Sequence, residues 1–511
     1  MDNSNKKLGA LALSALVVSA MIGGGIFSLP QNMAQSAGLT AILIAWIITG
    51  VGMFFLANTF RSLAEAKPDA AAGIYMYARL GFGRFAGFQM AWAYYLSNVF
   101  GNVGYAVLLM DALNYFFPGT FTGGNNIYSI IGGSVVIWVM CFLVMRGTRQ
   151  ASSINIIGTA AKLIPIVLFI LVMLAVFRWG SFSAAFSEKV AGSSSGSLMG
   201  QVKSTMLVTL WAFIGIEGAV VVSGRARNQR AVGLATVIGF AVCLTIYVLL
   251  SVTPFGRMSQ SELANLSNPS TAPILSSVVG SWGGWVMNLG VIIALLTSWL
   301  AFTIMVVEIP YQAAKDGTFP RIFAHENAHG APDTSLWITS LLMQLAMIFV
   351  YFANNAWNTM LSITAVMILP PYLASTAYLW KLCARRQFPR GLSVSRVFGM
   401  LCGVLGTVYA LWMIYAAGLN YLAMAFWFMA IGIVVFIWAR SESRRRNDRT
   451  DIPERYFSTP ELIAVVLILA IALAALVWQT GEVKPLERTL HKWSQQVDTN
   501  IEQFEEQEAG L

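Results

Sequence analysis

The residues of this 511-residue chain with types and spacing suited to chemistry sit where chemistry is costly to place. Gly23, Gly24 and Gly25 run together inside a long apolar stretch, with Pro30 five residues on. One glycine already weakens a helix by about 1 kcal/mol relative to alanine. Three in succession mark either close packing through small residues or a backbone that leaves the helix and presents N–H groups to an anion. Glu217, in WAFIGIEG, lies between Gly215 and Gly218 in another apolar run, and Lys162 is a lone charge in GTAAKLIPIV. An ionisable group at such depth is a candidate for binding, gating or charge compensation. Asn98 and Asn102 lie one helical turn apart, and burying two amides costs free energy unless they meet polar partners.

The elements that must position these groups are membrane spans. The chain is 57% hydrophobic and 11% charged, with mean hydropathy +0.67, whereas a soluble domain carries roughly 25% charge. Apolar stretches of about 20 residues, the length that crosses a bilayer as a helix, recur throughout. Hydropathy places thirteen spans at about 9–33, 39–60, 85–116, 127–145, 153–177, 204–223, 231–253, 284–313, 335–353, 358–380, 396–416, 420–439 and 460–478. The first has Lys6 and Lys7 in front, but its length, the lack of a small-residue cleavage site and the span that follows distinguish it from a signal peptide. With the N-terminus in the cytoplasm, 24 of the 32 Lys and Arg fall on that side, including the clusters KLCARRQFPR and ARSESRRRNDR. The basic charge therefore sets orientation and calls for no nucleic acid. An odd number of spans puts the C-terminus in the periplasm. There Leu486, Leu490, Trp493, Val497, Ile501 and Phe504 form one apolar stripe, expected to lie on a protein or membrane surface.

His325-Glu326-Asn327-Ala328-His329 matches the HExxH pattern of zinc peptidases. That chemistry needs both histidines on one face of a helix and a third ligand. Here Pro320, Gly330 and Pro332 bound the segment in a loop, and His491 is expected across the membrane. Cys141, Cys243, Cys383 and Cys402 have no metal spacing and read as buried free thiols. No metal, cofactor or enzymatic activity is expected.

Spans one and six become equivalent if spans 1–5 and 6–10 are two repeats of opposite topology. Interrupted helices at matching positions point to a transporter site at the bilayer midplane. GGGIF, LSNVFGN, WAFIGIEG and AAKDGTFP are similar to motifs of the amino acid/polyamine antiporter branch of the amino acid–polyamine–organocation superfamily, over about residues 8–440. Within it the chain resembles arginine/agmatine antiporters and, with its additional C-terminal span, arginine/ornithine antiporters.

The resemblance implies an all-α membrane protein with a LeuT-like fold of two five-helix inverted repeats, peripheral helices, alternating access and a homodimer. The corresponding division is 1–8 N-terminus, 9–177 first repeat, 204–380 inverted repeat, 396–478 peripheral helices and 479–511 periplasmic tail. It also implies that Gly23, Gly24 and Gly25 take a substrate carboxylate, although the family carries serine at the position of Gly24. Carbonyls around Trp211 and Ile214 would accept from the ammonium, and Trp211 would be a lid over the substrate. Ser97, Asn98, Asn102, Phe302 and Thr364 would line the side-chain pocket. Phe302 replaces a tryptophan of the arginine/agmatine pattern, and Trp299, one turn away, is placed to compensate. Glu217 would join Tyr94 and Tyr372 in a pH-sensing cytoplasmic gate, and Lys162 would stand where sodium sits in sodium-coupled relatives. Glu308 is either a second gate acid or a helix-end residue paired with a loop arginine. The function so implied is exchange of a cationic amino acid for a related amino acid or amine in the bacterial inner membrane. Arginine/ornithine leads; histidine/histamine, lysine/cadaverine and proton-coupled import are the alternatives.

Overall fold

The computed structural model describes residues 14, 18, 21–68, 70, 74–146, 148–187, 190, 196–217, 229–328, 330–445 and 456–479, without the side chains of 148–161, 229–233 and 479. The expected amphipathic tail, Gly218 and His329 lie outside the described residues. Among the described residues the chain is built of α-helices and short 3-10 turns. After the 3-10 turn Gly24–Ser28 come α1 (Leu29–Ala34), α2 (Leu39–Ala66), α3 (Ile74–Phe82), α4 (Arg84–Asn114), α5 (Ile127–Met145), α6 (Thr148–Ala175), α7 (Trp179–Ala184) and α8 (Leu198–Ala212). The second half holds α9 (Gln229–Val252), α10 (Gln260–Ala264), α11 (Thr271–Val279), α12 (Ser281–Lys315), α13 (Asp333–Val350) and α14 (Ala356–Ala384). Then follow α15 (Arg396–Ala417), α16 (Leu419–Arg445) and α17 (Thr459–Gln479).

Ten of these helices are long and apolar enough to cross a membrane, and they coincide with ten of the thirteen expected spans. The other three are spans one, five and six. Span one is broken at Ile22 and Gly23 and span six leaves the helix after Ala212, while span five is the 28-residue helix α6, described with its side chains over Lys162–Ala175. Side-chain caps start several helices: Asn126, Ser197, Asn355 and Ser395 accept from N–H groups of the first turn. Exposed Leu462, Ile463, Val466 and Leu467 on α17, like Ile47 and Val51 on α2, form an apolar exterior suited to hydrocarbon.

The packing carries the signature of two inverted repeats. α2 packs on α9, α4 on α12 and α5 on α13, so spans two, three and four each touch their counterparts five spans later. α6 lies against α12 and α14 against α4, while α15 covers α2 and α14 from outside. α4 is the most enclosed of these ten spans; it runs beside the span-one turn, and its Tyr94 reaches Glu217 in the turns after α8. Its buried face presents the residues of the candidate site.

Candidate functional site

The backbone of span one leaves the helix at Gly23, which is extended with φ −89° and ψ 177°, and then tightens into the 3-10 turn. None of Gly23, Gly24 and Gly25 has a positive φ. Their common property is instead missing bulk. A Cβ on Gly23 would stand 2.5 Å from the Tyr105 hydroxyl, one on Gly24 2.2 Å from Leu295 Cδ2, and one on Gly25 1.9 Å from Trp211 Cη2 and 2.6 Å from Trp357 Cη2. Trp211 and Trp357 meet edge to face, with ring centroids 5.3 Å apart. The first N–H groups of such a turn lack intrahelical acceptors. The Trp211 ring rests on the turn that carries them.

In span six α8 ends at Ala212, and residues 213–217 form tight turns in which Phe213 N–H reaches Leu210 O, Ile214 N–H reaches Trp211 O and Ile216 N–H reaches Phe213 O. Gly215 adopts φ +104°, a region that side chains rarely enter. The carbonyls of Ala212 and Ile214 accept no backbone hydrogen bond among the described residues. They belong to the negative end of the α8 dipole, which suits an ammonium group.

Between the two breaks lies a small cavity of about 30 Å³. Met21, Gly23, Trp211, Ala212 and Ile214 supply one side of its wall, and Ser97, Asn98, Gly101, Tyr105, Phe302 and Thr364 the other. No charged side chain contributes among the described residues. Ser97 Oγ donates to Thr364 O at 2.8 Å and Asn98 Nδ2 to Tyr94 O at 2.8 Å, while the buried Thr364 Oγ1 has no partner among the described residues. The wall therefore offers aromatic faces and hydroxyl and amide groups.

The cavity thus gathers Gly23, Ser97, Asn98, Trp211, Ile214, Phe302 and Thr364 from the sequence reading. Gly24 and Gly25 stand behind Leu295 and Trp211 rather than in the wall. Asn102 also lies off the cavity: its Nδ2 donates to Asn98 O at 2.9 Å, and its buried Oδ1 has no partner among the described residues. Trp299 is fully buried away from the wall, so it does not stand in for the tryptophan that Phe302 replaces; Tyr105 packs edge-on against Phe302 instead. Tyr105 was readable, because it continues the face of α4 set by Asn98 and Asn102 at helical spacing. Trp357 and Leu295 were not, since only tertiary packing brings them to the glycines.

Toward the end of the molecule where α14 finishes, the Tyr94 hydroxyl donates to Glu217 Oε1 at 3.0 Å and the Tyr372 hydroxyl to Glu217 Oε2 at 2.8 Å. Gly215 N–H adds a third donor at 3.2 Å. All three side chains are buried, and they join spans three, six and ten. Beyond them Arg79 pairs with Asp316 at 3.0 Å, and Tyr75 donates to the same carboxylate at 2.9 Å. At the opposite end, α1 is latched by neutral groups. Asn268 Nδ2 donates to Gln31 Oε1 at 3.1 Å, Gln31 Nε2 to Ala264 O at 3.1 Å, and Gln260 Nε2 to Ala34 O at 2.6 Å.

Lys162, 2% exposed, lies beside Cys243 on α9. Cys243 hydrogen-bonds Tyr247, whose hydroxyl donates to Met21 O at 2.9 Å, immediately before the break in span one. Glu308 is exposed and accepts from Gln312 at 2.5 Å, and it pairs with no arginine among the described residues. His325 is extended rather than helical and bonds Asp333 at 2.6 Å, which does not fit the helical zinc motif. The four cysteines are buried and free.

A family model described as amino acid permease matches residues 8–436. The chain belongs to the amino acid permease family. It is 54% identical over 485 residues to the arginine/agmatine antiporter of Chlamydia pneumoniae, covering 94% of this chain and 99% of that one. The arginine/agmatine antiporter of Chlamydia abortus is 54% identical over 475 residues (92% and 97%), and that of Chlamydia trachomatis serovar L2 is 52% identical over 466 (91% and 96%). The broken helices and the shared cavity between them are thus features of an amino acid permease. The chain is a multi-pass membrane transporter.

Proposed function

We propose that this permease exchanges a cationic amino acid for a related amino acid or amine by alternating access, with arginine as the amino acid. The observation that carries the reading is the cavity wall: no charged side chain, two aromatic faces in Trp211 and Phe302, and the oxygens of Asn98 and Thr364. A guanidinium or ammonium gains from aromatic faces, by about 0.5–2 kcal/mol each, and from acceptor oxygens. The turn of span one offers N–H groups to the carboxylate, and the carbonyls of Ala212 and Ile214 offer acceptors to the ammonium. Trp211 acts as the lid, and its swing away from Gly25 admits the carboxylate. Glu217, Tyr94 and Tyr372 form the gate at the cytoplasmic end. Lys162 supplies the fixed positive charge that replaces sodium next to span one.

The names of the relatives favour agmatine as the counter-substrate. Ornithine, the lead of the sequence reading, stays as the competing partner, because the arginine/agmatine relatives also align through the C-terminal span. Histidine/histamine and lysine/cadaverine exchange and proton-coupled import are the alternatives. The protein is assigned to the bacterial inner membrane as a homodimer without enzymatic activity, with its N-terminus in the cytoplasm and its C-terminus in the periplasm. Its units are 1–8, the repeats 9–177 and 204–380, the peripheral helices 396–478 and the tail 479–511.

Proteoliposomes test the reading. Vesicles loaded with ornithine, agmatine or nothing are offered labelled arginine, with lysine, histidine, histamine and putrescine as competitors. Uptake is expected only into loaded vesicles and unchanged when choline replaces sodium. Uptake into empty vesicles driven by a proton gradient would make the protein an importer.

A further inference from the structure

A second small cavity, of about 30 Å³ and open to one side, lies where α4 begins and α16 ends. Arg79, Arg84 and Arg440 line it, with Thr318 and Ser443, and no acidic side chain contributes to its wall among the described residues. Arg79 and Arg440 are held from outside the wall by Asp316 and Glu461, each at 3.0 Å. Arg440 is only 7% exposed, and its guanidinium is 5.4 Å from the Phe436 ring centre. These contacts fix two guanidinium forks in place and leave further N–H groups for a ligand, since each guanidinium carries five donors.

The start of α4 adds to this. Gly83, at φ +97°, turns the chain into a 31-residue helix that has no side-chain cap and no acidic residue in its first turn. Its first N–H groups lack intrahelical acceptors, and its dipole is positive at this end. Placing Arg84 at that end opposes the dipole, whereas an anion there would be favoured by the helix and by three guanidiniums at once. The orientation proposed above turns this end toward the cytoplasm. Basic pockets between spans on that side suit anionic head groups.

We propose that this cavity binds a phosphate group, carried by an anionic phospholipid or free in solution, through Arg79, Arg84 and Arg440. Arg79 also belongs to the latch with Asp316 and Thr318, which joins the segment after span two to the loop after span eight. A bound phosphate shares Arg79 with Asp316 and so adjusts how firmly that end is shut.

Detergent-purified protein is titrated with phosphatidylglycerol, with phosphatidylethanolamine and with inorganic phosphate. The melting temperature and the lipid retained in native mass spectra are read. Phosphatidylglycerol is expected to raise the melting temperature by several degrees and to remain bound, while phosphatidylethanolamine does neither. An equal rise with inorganic phosphate would support the site with free phosphate as its source. Arg84→Gln should lose the rise, Arg84→Lys should keep most of it, and Arg385→Gln, an exposed charge elsewhere, should keep all of it. If Arg84→Gln does not fold, Ser443→Asp, which places a carboxylate in the wall, should abolish retention. No rise with either phosphatidylglycerol or inorganic phosphate, or an undiminished rise in Arg84→Gln or Ser443→Asp, overturns the proposal.

Discussion

The two broken helices use glycine for different physical reasons. In span one Gly24 and Gly25 have ordinary dihedrals, and what they lack is a Cβ that would strike Leu295 or the paired indoles of Trp211 and Trp357. In span six Gly215 is needed for its backbone, at φ +104°, and the turn it makes lets its own N–H reach Glu217. One break is shaped by its neighbours, the other by its own torsions. The same residue type thus answers a packing demand on one side of the cavity and a conformational demand on the other.

Substitutions separate these demands, and the largest effect belongs at Gly25. Alanine there forces a methyl group into Trp211, and overpacking costs about 1–3 kcal/mol or more, so arginine exchange should fall at least about tenfold. Proteoliposome uptake checks this; near-normal exchange would mean that the indole moves aside without loss. Gly24→Ser introduces the family's residue opposite Leu295 and should impair exchange, whereas adding Leu295→Ala should recover much of it. The double-mutant cycle reads that coupling directly.

At Gly215 the ranking of substitutions should differ. Alanine costs about 1–2 kcal/mol through its dihedral, seen as a lower melting temperature, and asparagine, which enters positive φ more readily, should cost less. At Gly25 asparagine should be worse than alanine. Glu217→Gln keeps the gate's size but removes the carboxylate that accepts from both tyrosines; the protein should fold, and the pH profile of exchange should change. An unchanged profile in liposomes removes Glu217 from pH sensing. The smallest effect is expected from Tyr247→Phe, which deletes the bond to Met21 O and should cost about 1 kcal/mol of stability.

The sequence disclosed the breaks more clearly than their purpose. Three glycines before Pro30, and glycines around Glu217, can hardly be continuous helix in hydrocarbon, so both interruptions were visible. The polar face of α4 was visible too, because helical spacing aligns Asn98, Asn102 and Tyr105. What periodicity cannot supply is which distant side chain fills a gap. Leu295 against Gly24, and Trp357 against Trp211, follow from how α12 and α14 pack on the span-one turn. Trp299 shows the converse: its type and spacing suggested the pocket, yet its position on α12 turns it into the core. Glu308 likewise shows what spacing cannot supply: its position on α12 exposes it, beside Gln312.

Glu217 accepts from Tyr94 on span three, from Tyr372 on span ten and from the amide of Gly215 in its own turn. In the proposed gate, opening the cavity toward the cytoplasm strips two phenol donors from one carboxylate. Such a step loses bond energy before any new hydration repays it. Turnover governed by that step would show a steep Arrhenius slope, and the Glu217→Gln variant would show a shallower one.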